Sequence, residues 1–497
     1  MTAVLTWRYI TEYARKPLNL VLLAVVPIIF VTLSAGAIAD FARILGGDAG
    51  MSQLAAATAG WAAAFLAGVA GFFHVTGSRE ADRRLAAAGS ATTRVVVARI
   101  ASALALAFVA AAGALLALAA RADVVDVGRA VGATALFAVI YLAVGATVGA
   151  IVRSEVNGSL IIIFIWIIDV FLGPAMGRTE LLITRFFPTH FPTLVMLDAT
   201  TTHAGSLGDL GASLAWSLGG LAIAIAALFR TTRPVRNRRT SRVVGAWARI
   251  GTGLRYAWRE YRRNVALWVL LVGLPLVFIS LSIAVTPDDP APVELLENGV
   301  REVSILSMTD VHGAIMVPIT VAFLAGLAGL FVVLGSAEGD RRLVLAGFRP
   351  GEVLVARLGV ILVAAVLVTA VPLAATAASF QPQAWLTFGL ATLAVAVIYA
   401  MIGVIVGPLV GRMGGLFLMF LLPFLDVGLA QNVMFDAAPP SWAAWMPAHG
   451  AVKVLIDGAF TPGFDETSGL LLTVAWLIGI TALAAVVFKR TAAPAKA

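Results

Sequence analysis

The chain has 497 residues, of which 60% are hydrophobic and only 12% charged, against about a quarter charged in an ordinary soluble domain. Its 35 basic and 27 acidic residues leave a formal net charge of +8, and it contains no cysteine, which excludes disulfides and thiolate metal sites. Apolar runs of about 18 or more residues, each long enough to cross roughly 30 Å of hydrocarbon as a helix, exclude a water-facing globular enzyme and predict an all-α membrane protein.

Residues 5–16 open the chain as an amphipathic helix. Trp7, Ile10 and Ala14 share one face at i, i+3 and i+7, while Arg8, Glu12, Arg15 and Lys16 take the others. An aromatic, basic helix of this kind lies in the membrane interface. The run 18–39 is too long for a signal-peptide core and has no convincing cleavage site, so it is expected to remain as the first membrane helix. Further spans are expected at 56–76, 97–120, 130–152, 158–174, 209–229, 266–286, 314–334, 356–379, 386–410, 414–430 and 468–488. With both termini in the cytoplasm, all but seven of the 35 Lys and Arg residues lie inside; the exceptions are Arg43, Arg121, Arg129, Arg178, Arg185, Arg301 and Lys453. The opposite orientation places Arg230, Arg233, Arg236, Arg238, Arg239 and Arg242 outside, against the positive-inside bias. The positive charge is therefore read as membrane topology and not as a nucleic-acid surface.

The chain repeats itself. Gly77–Gly89 (GSREADRRLAAAG) recurs as Gly335–Gly347 (GSAEGDRRLVLAG), and 13 of the 24 residues from Gly77 to Ile100 are identical at an offset of 258. Glu12-Tyr13, Pro27 and Phe30 match Glu260-Tyr261, Pro275 and Phe278 at an offset of 248; Tyr141, Gly145 and Gly149 match Tyr399, Gly403 and Gly407; Asp169 matches Asp426. Residues 1–232 and 253–497 thus form two six-span halves related by a pseudo-twofold along the membrane normal, joined by a basic cytoplasmic linker at 233–252. The ten extra residues of the second half fall in its first external loop, 286–313, which is acidic and Pro-rich.

Three segments carry the functional expectation. The amphipathic helix returns before the second half's first span: Trp258, Tyr261 and Val265 repeat the spacing of Trp7, Ile10 and Ala14, and Glu260-Tyr261 repeats Glu12-Tyr13. Between spans two and three lies a short charged helix: Glu80–Arg84 and Glu338–Arg342 are acid-before-base i,i+4 pairs, joined by Asp82, Arg83, Asp340 and Arg341. Leu85 and Leu343 supply an apolar knob, and Gly89 and Gly347 suit a C-terminal cap. Charge pattern, knob and cap kept together in two diverged copies point to a protein contact. Span five ends early at Asp169 or Asp426, and Pro- and His-bearing stretches follow before span six. Such a break belongs against protein or a water-filled cavity. The two aspartates are either pathway groups or caps of a re-entrant helix, and His190 and His449 are structural, with no partner ligands at useful spacing. No phosphate-binding glycine loop, zinc-protease motif or nucleophile elbow occurs, so no catalytic residue and no metal site is expected.

These segments resemble the permeases of type-2 ABC exporters (the ABC-2 family). The resemblance covers nearly the whole chain and rests more on architecture than on motif. It implies interfacial helices at 5–16 and 253–264, coupling helices at Glu80–Gly89 and Glu338–Gly347, and external hairpins at about 172–200 and 430–459. Family members usually carry one half per chain; this chain holds both, resembling fused permeases among antibiotic or multidrug exporters of actinobacteria. The resemblance further implies a homodimeric cytoplasmic ATPase subunit that binds ATP and Mg²⁺, since the chain carries no cofactor motif. It also implies contact with membrane lipids, location in the bacterial inner membrane, and export of a hydrophobic or amphipathic substrate (antibiotic, drug or lipid-like). Aromatics expected along the pathway are Trp61, Phe65, Phe72, Phe164, Trp166, Phe323, Phe331, Phe417, Phe420 and Phe424, with Asp169 and Asp426. The rival is a proton-coupled transporter of the major facilitator type, also six plus six. Its G-x-x-x-D-R-x-G loop is a near miss to G77-S-R-E-A-D-R-R, one residue too long and lacking the final Gly. A membrane scaffold or immunity protein is the third class.

Overall fold

A computed structural model describes residues 2–15, 17–44, 47, 49–176, 182–201, 207–232, 265–345 and 350–492. The linker 233–252, the second interfacial helix with Trp258, Glu260 and Tyr261, and Gly347 lie outside the described residues. So do the side chains of Glu338, Arg341, Arg342 and Leu343.

The first half runs α1 (Thr2–Ala14), α2 (Pro17–Ile44), α3 (Met51–Thr76), α4 (Arg79–Ala87), α5 (Thr92–Ala119), α6 (Val127–Ile151), α7 (Glu155–Phe171), α8 (His190–Asp198) and α9 (Leu207–Thr232). Local chemistry sets several boundaries. Pro17 opens α2 at the position where its missing N–H costs nothing. The Asp126 carboxylate accepts the Arg129 N–H at 2.9 Å to cap α6, and Ser154 does the same for α7 through Asn157. The second half runs α10 (Val265–Val285), strands β1 (Pro290–Glu297) and β2 (Val300–Ser307), α11 (Met308–Leu345), α12 (Pro350–Thr376), α13 (Trp385–Pro423), α14 (His449–Phe460) and α15 (Thr467–Ala492). Among the described residues nine helices are long and apolar enough to cross a membrane. The protein is a mainly helical, multi-pass membrane protein.

The structure departs from the sequence expectation in two places. The predicted spans 386–410 and 414–430 are kept as two arms on either side of Gly411, whose φ 74° and ψ −170° are not helical; a side chain would not tolerate that backbone. The arms fold back on each other, since the Tyr399 hydroxyl on the first donates to the Asp426 carboxylate beyond the second at 2.7 Å, and the second arm ends in a π-helical turn at Phe424–Ala430. The second charged helix is not a separate element, because α11 continues to Leu345 through the segment that in the first half turns at Gly77-Ser78. The acidic loop 286–313 contains a β-hairpin, so the fold is not strictly all-α. Its eight pairs run from Pro290↔Ser307 to Glu297↔Val300, and Asn298 and Gly299 take positive φ (52° and 80°), as a two-residue primed turn requires.

Each half is built on the same close helix crossing. A Cβ on Gly145 of α6 would sit 1.9 Å from the Gly68 carbonyl oxygen of α3, and one on Gly403 of α13 would sit 2.2 Å from that of Gly326 in α11. Without a hydrophobic drive between helices in lipid, close backbone approach at small residues supplies the packing. In the first half α3 is buried without interruption from Leu54 to Phe72.

Candidate functional site: an aromatic cavity and a buried ion-pair latch

Where the halves meet, α2, α3 and α7 of the first face α10, α11 and α13 of the second across a cavity of about 170 Å³. Equivalent positions of the repeat line it from both sides: Phe30 and Phe278, Trp61 and Ile319, Trp166 and Pro423, Ile167 and Phe424, Phe171 and Gly428. Phe420 gathers the aromatic wall, with ring centroids of Phe65 at 4.2 Å, Trp166 at 5.2 Å, Phe30 at 5.6 Å and Phe323 at 6.2 Å. The Trp166 indole N–H donates to the Trp61 backbone carbonyl at 2.9 Å, which fixes the Trp166 indole against α3. Among the described residues no charged side chain lines the space. Its polar side chains are already engaged: Thr320 donates to the Met316 carbonyl at 2.8 Å, and Asn432 bonds Gly428 and Met434.

Of the expected pathway residues, Trp61, Trp166, Phe323, Phe420 and Phe424 line the cavity and Phe65 backs it. Phe72 instead packs on Phe73, with ring centroids 4.9 Å apart, and a Cβ on Gly158 would clash with it. Phe331 and Phe417 are core, and Phe164 is half-buried against that core. Sequence reasoning missed Phe41, Phe171 and Phe435, and it noted Phe30 and Phe278 only as repeat matches. The signal available was their register with Trp61 and Trp166 on facing helices.

Asp169 and Asp426 do not line the cavity. The Asp169 carboxylate accepts the Tyr141 hydroxyl at 2.8 Å and the backbone N–H of Thr189, the residue before α8. Asp426 accepts the Tyr399 hydroxyl at 2.7 Å and the Ala448 N–H, at 2.9 Å, before α14. Each thus caps the short helix that follows, where an anion is favoured. His190 and His449 begin those helices; His449 Nδ1 donates to Gln431 Oε1 at 2.9 Å.

Between α3 and α5 the short charged helix α4 forms as expected. Gly89 adopts φ 92° past its end, with the Ser90 N–H donating to Leu85 O and the Gly89 N–H to Ala86 O, a Schellman cap. Glu80 and Arg84 pair on the exposed surface, and Leu85 is half-buried. Asp82, however, turns inward. It is 4% exposed and receives Arg99 of α5 through two bonds, at 2.6 and 3.1 Å. The Tyr9 hydroxyl of α1 donates to it at 3.2 Å, the Arg99 guanidinium lies 3.6 Å from the Tyr9 ring centroid, and Ser78 also donates. Burial, with the carboxylate alongside, pushes the Tyr9 hydroxyl up to about 12. In the second half Asp340 receives Arg357 at 2.7 and 3.0 Å, with Ser336 donating at 3.0 Å. Ser78, Asp82 and Arg99 are the repeat equivalents of Ser336, Asp340 and Arg357. Arg99 and Arg357 stood in the matched V-x-V-A-R run, but nothing local marks an Arg at a span's end as the partner of an Asp 17 residues earlier.

Arg83 reaches the Thr231 carbonyl at the end of α9 at 2.7 Å, so α4 touches α1, α5 and α9. On α1, Trp7 is 67% exposed, Glu12 is exposed, and Tyr13 donates to the Met413 sulfur of α13 at 2.9 Å. Arg412 and Glu155 form a second bridge between the halves.

Comparison with models of known protein families returns no match, and comparison with curated proteins returns none either.

Proposed function

We propose that the chain is the membrane subunit of an ATP-driven exporter of the ABC-2 type, both halves on one polypeptide that crosses the bacterial inner membrane twelve times with its ends in the cytoplasm. A homodimeric ATPase subunit, which binds the ATP and Mg²⁺, docks on α4 and on the matching segment 338–347; the chain itself is not an enzyme. The substrate is hydrophobic or amphipathic and passes between the halves.

The observation that carries this reading is an Asp–Arg pair at the root of the charged segment in both halves: Asp82–Arg99, buried beneath α4, and Asp340–Arg357, in which Asp340 is buried and Arg357 is half-buried. A solvated loop helix has no need of a desolvated charge pair, which costs several kcal/mol per ion in the absence of good geometry. A helix that must transmit a push does need a stiff root. Force on Glu80–Leu85 reaches α5 through Arg99, α1 through Tyr9 and α9 through Arg83. From α1 it passes to α13 of the other half through Tyr13, and α13 carries Phe420 of the cavity wall and leads directly into Phe424.

The test is co-purification. An ATPase is expected to co-purify with the chain, to hydrolyse ATP faster in its presence in proteoliposomes, and to lose that stimulation with Glu80→Ala/Glu338→Ala. Substrate transport by the chain alone under a proton gradient would sink this reading in favour of a facilitator.

A further inference from the structure

Two short 3-10 helices, Leu182–Phe186 and Ser441–Trp445, lead into α8 and α14 and hold equivalent places in the repeat. Three residues make one turn of such a helix, so side chains at i and i+3 stand on one edge. That edge carries Ile183 and Phe186 in the first and Trp442 and Trp445 in the second, and the four are between 57% and 84% exposed. Thr184 and Ala443, each following the first member of its pair, are fully buried and turn the opposite edge inward. Large apolar side chains held outward at matching positions of two diverged halves call for a covering surface.

The aspartate caps set the depth of these pairs. Phe186 precedes Thr189 by three residues, and Trp445 precedes Ala448 by three, a reach of about 10 Å at most. The Thr189 N–H is bonded to Asp169 in the last turn of α7, and the Ala448 N–H to Asp426 in the π-helical turn that ends the second arm of α13. Both pairs therefore lie at the ends of apolar membrane helices, and both ends reach the same cavity, through Val170 and Gly428. There the hydrocarbon core gives way to headgroups over roughly 5–8 Å per leaflet, the layer that aromatic side chains favour. Neither five-residue segment contains an acidic residue to meet anionic headgroups, and Arg185 is exposed beside Phe186.

We propose that the pairs Ile183/Phe186 and Trp442/Trp445 are seated in the headgroup–acyl boundary of the surrounding bilayer, and that each anchors to lipid a connection bordering the cavity between the halves. The first connection gives Met176 to the cavity wall, the second Asn432 and Phe435. Anchoring of this kind requires neither an ATPase nor a substrate.

The chain has no cysteine, so single introduced cysteines each report one position. Phe186→Cys and Trp445→Cys carry a nitroxide in the full chain in lipid nanodiscs, beside Glu297→Cys on the exposed hairpin and Leu218→Cys, exposed midway along α9. Collision with oxygen relative to a nickel chelate is expected to place the labels at 186 and 445 between the aqueous label at 297 and the acyl-chain label at 218. Trp442→Ser/Trp445→Ser should quicken hydrogen exchange across 432–445 in the same nanodiscs. A label at 186 or 445 as aqueous as that at 297 overturns the proposal and leaves the surface to a soluble partner. A label as deep as that at 218 overturns the boundary placement, and unchanged exchange in the double variant overturns the anchoring. Should a cysteine variant fail to assemble, a lipid with a nitroxide on its headgroup decides. It should quench the tryptophan fluorescence of the unaltered protein more strongly than that of Trp442→Phe/Trp445→Phe, and equal quenching overturns the placement.

Discussion

The hydroxyl of Tyr9 on α1 donates to the carboxylate of Asp82 on α4 at 3.2 Å, tying the interfacial helix to the charged helix between α3 and α5. Asp82 in turn holds Arg99, itself 4% exposed. Removing one partner leaves a buried charge uncompensated. Asp82→Ala is therefore expected to destabilise the protein by about 3–5 kcal/mol, read as a lowered thermal midpoint in detergent. Asp82→Leu/Arg99→Met should regain most of that stability, because an apolar pair of similar volume can replace a buried ion pair at little cost. In the exporter reading the double variant still loses ATPase stimulation, since stability returns but the rigid root of α4 does not.

The glycine crossings predict a sharp positional contrast. Gly145→Ala and Gly403→Ala place a Cβ 1.9 and 2.2 Å from a backbone oxygen that cannot move aside. Each should cost about 1–3 kcal/mol through overpacking. Gly132→Ala, on the same helix as Gly145 with nothing within 4 Å, should be neutral or slightly stabilising. Thermal unfolding of the three variants side by side checks this.

The aspartate caps separate a structural role from a pathway role. Asp426 takes both its Tyr399 and Ala448 bonds on one oxygen, an arrangement an amide can keep. Asp426→Asn should therefore hold α14 in place with little loss, whereas Asp426→Ala should cost about 1–2 kcal/mol, the upper range for a lost helix cap. Hydrogen exchange over 441–460 reads the difference. A folded Asp426→Asn protein that no longer transports would mean that the charge, and not the cap, is what the site needs.

His449 gives a pH dependence with a defined sign. Burial lowers its affinity for a proton, Lys453 and Arg301 lower it further, and Glu466 opposes them. The folded state therefore favours neutral His449. Its contribution to stability is complete above the unfolded value of about 6.5 and is lost as pH falls below it toward the depressed folded value. The thermal midpoint should drop as the pH is lowered through this window, and His449→Gln should flatten the drop.

Much of this molecule was legible in its sequence, and the illegible parts share physical causes. Apolar run length and the repeat revealed the membrane helices, α4 with its Gly89 cap, and the register that puts Trp61 and Trp166 at the cavity. The hairpin was missed although Asn298-Gly299 lies between alternating residues, because its proline and acid content read as loop. The gap expected between the spans 386–410 and 414–430 was legible, and Gly411 supplies the non-helical backbone at which the chain reverses. The Asp82–Arg99 pair was invisible for a different reason. Helical spacing shows which residues share a face, and this pair is made across two elements. The Trp61 indole N–H, buried with no acceptor among the described residues, belongs to the same class, since satisfaction of a polar group is a property of its surroundings.

Carrying both halves on one polypeptide has a consequence for the pocket between them. Two identical chains meeting on a true axis must repeat every wall residue, so any guest sees each group twice and can turn end for end without penalty. Here Trp61 stands opposite Ile319 and Trp166 opposite Pro423, so both indoles belong to one side. The two jaws are free to diverge, and a lopsided guest has a single preferred way to sit.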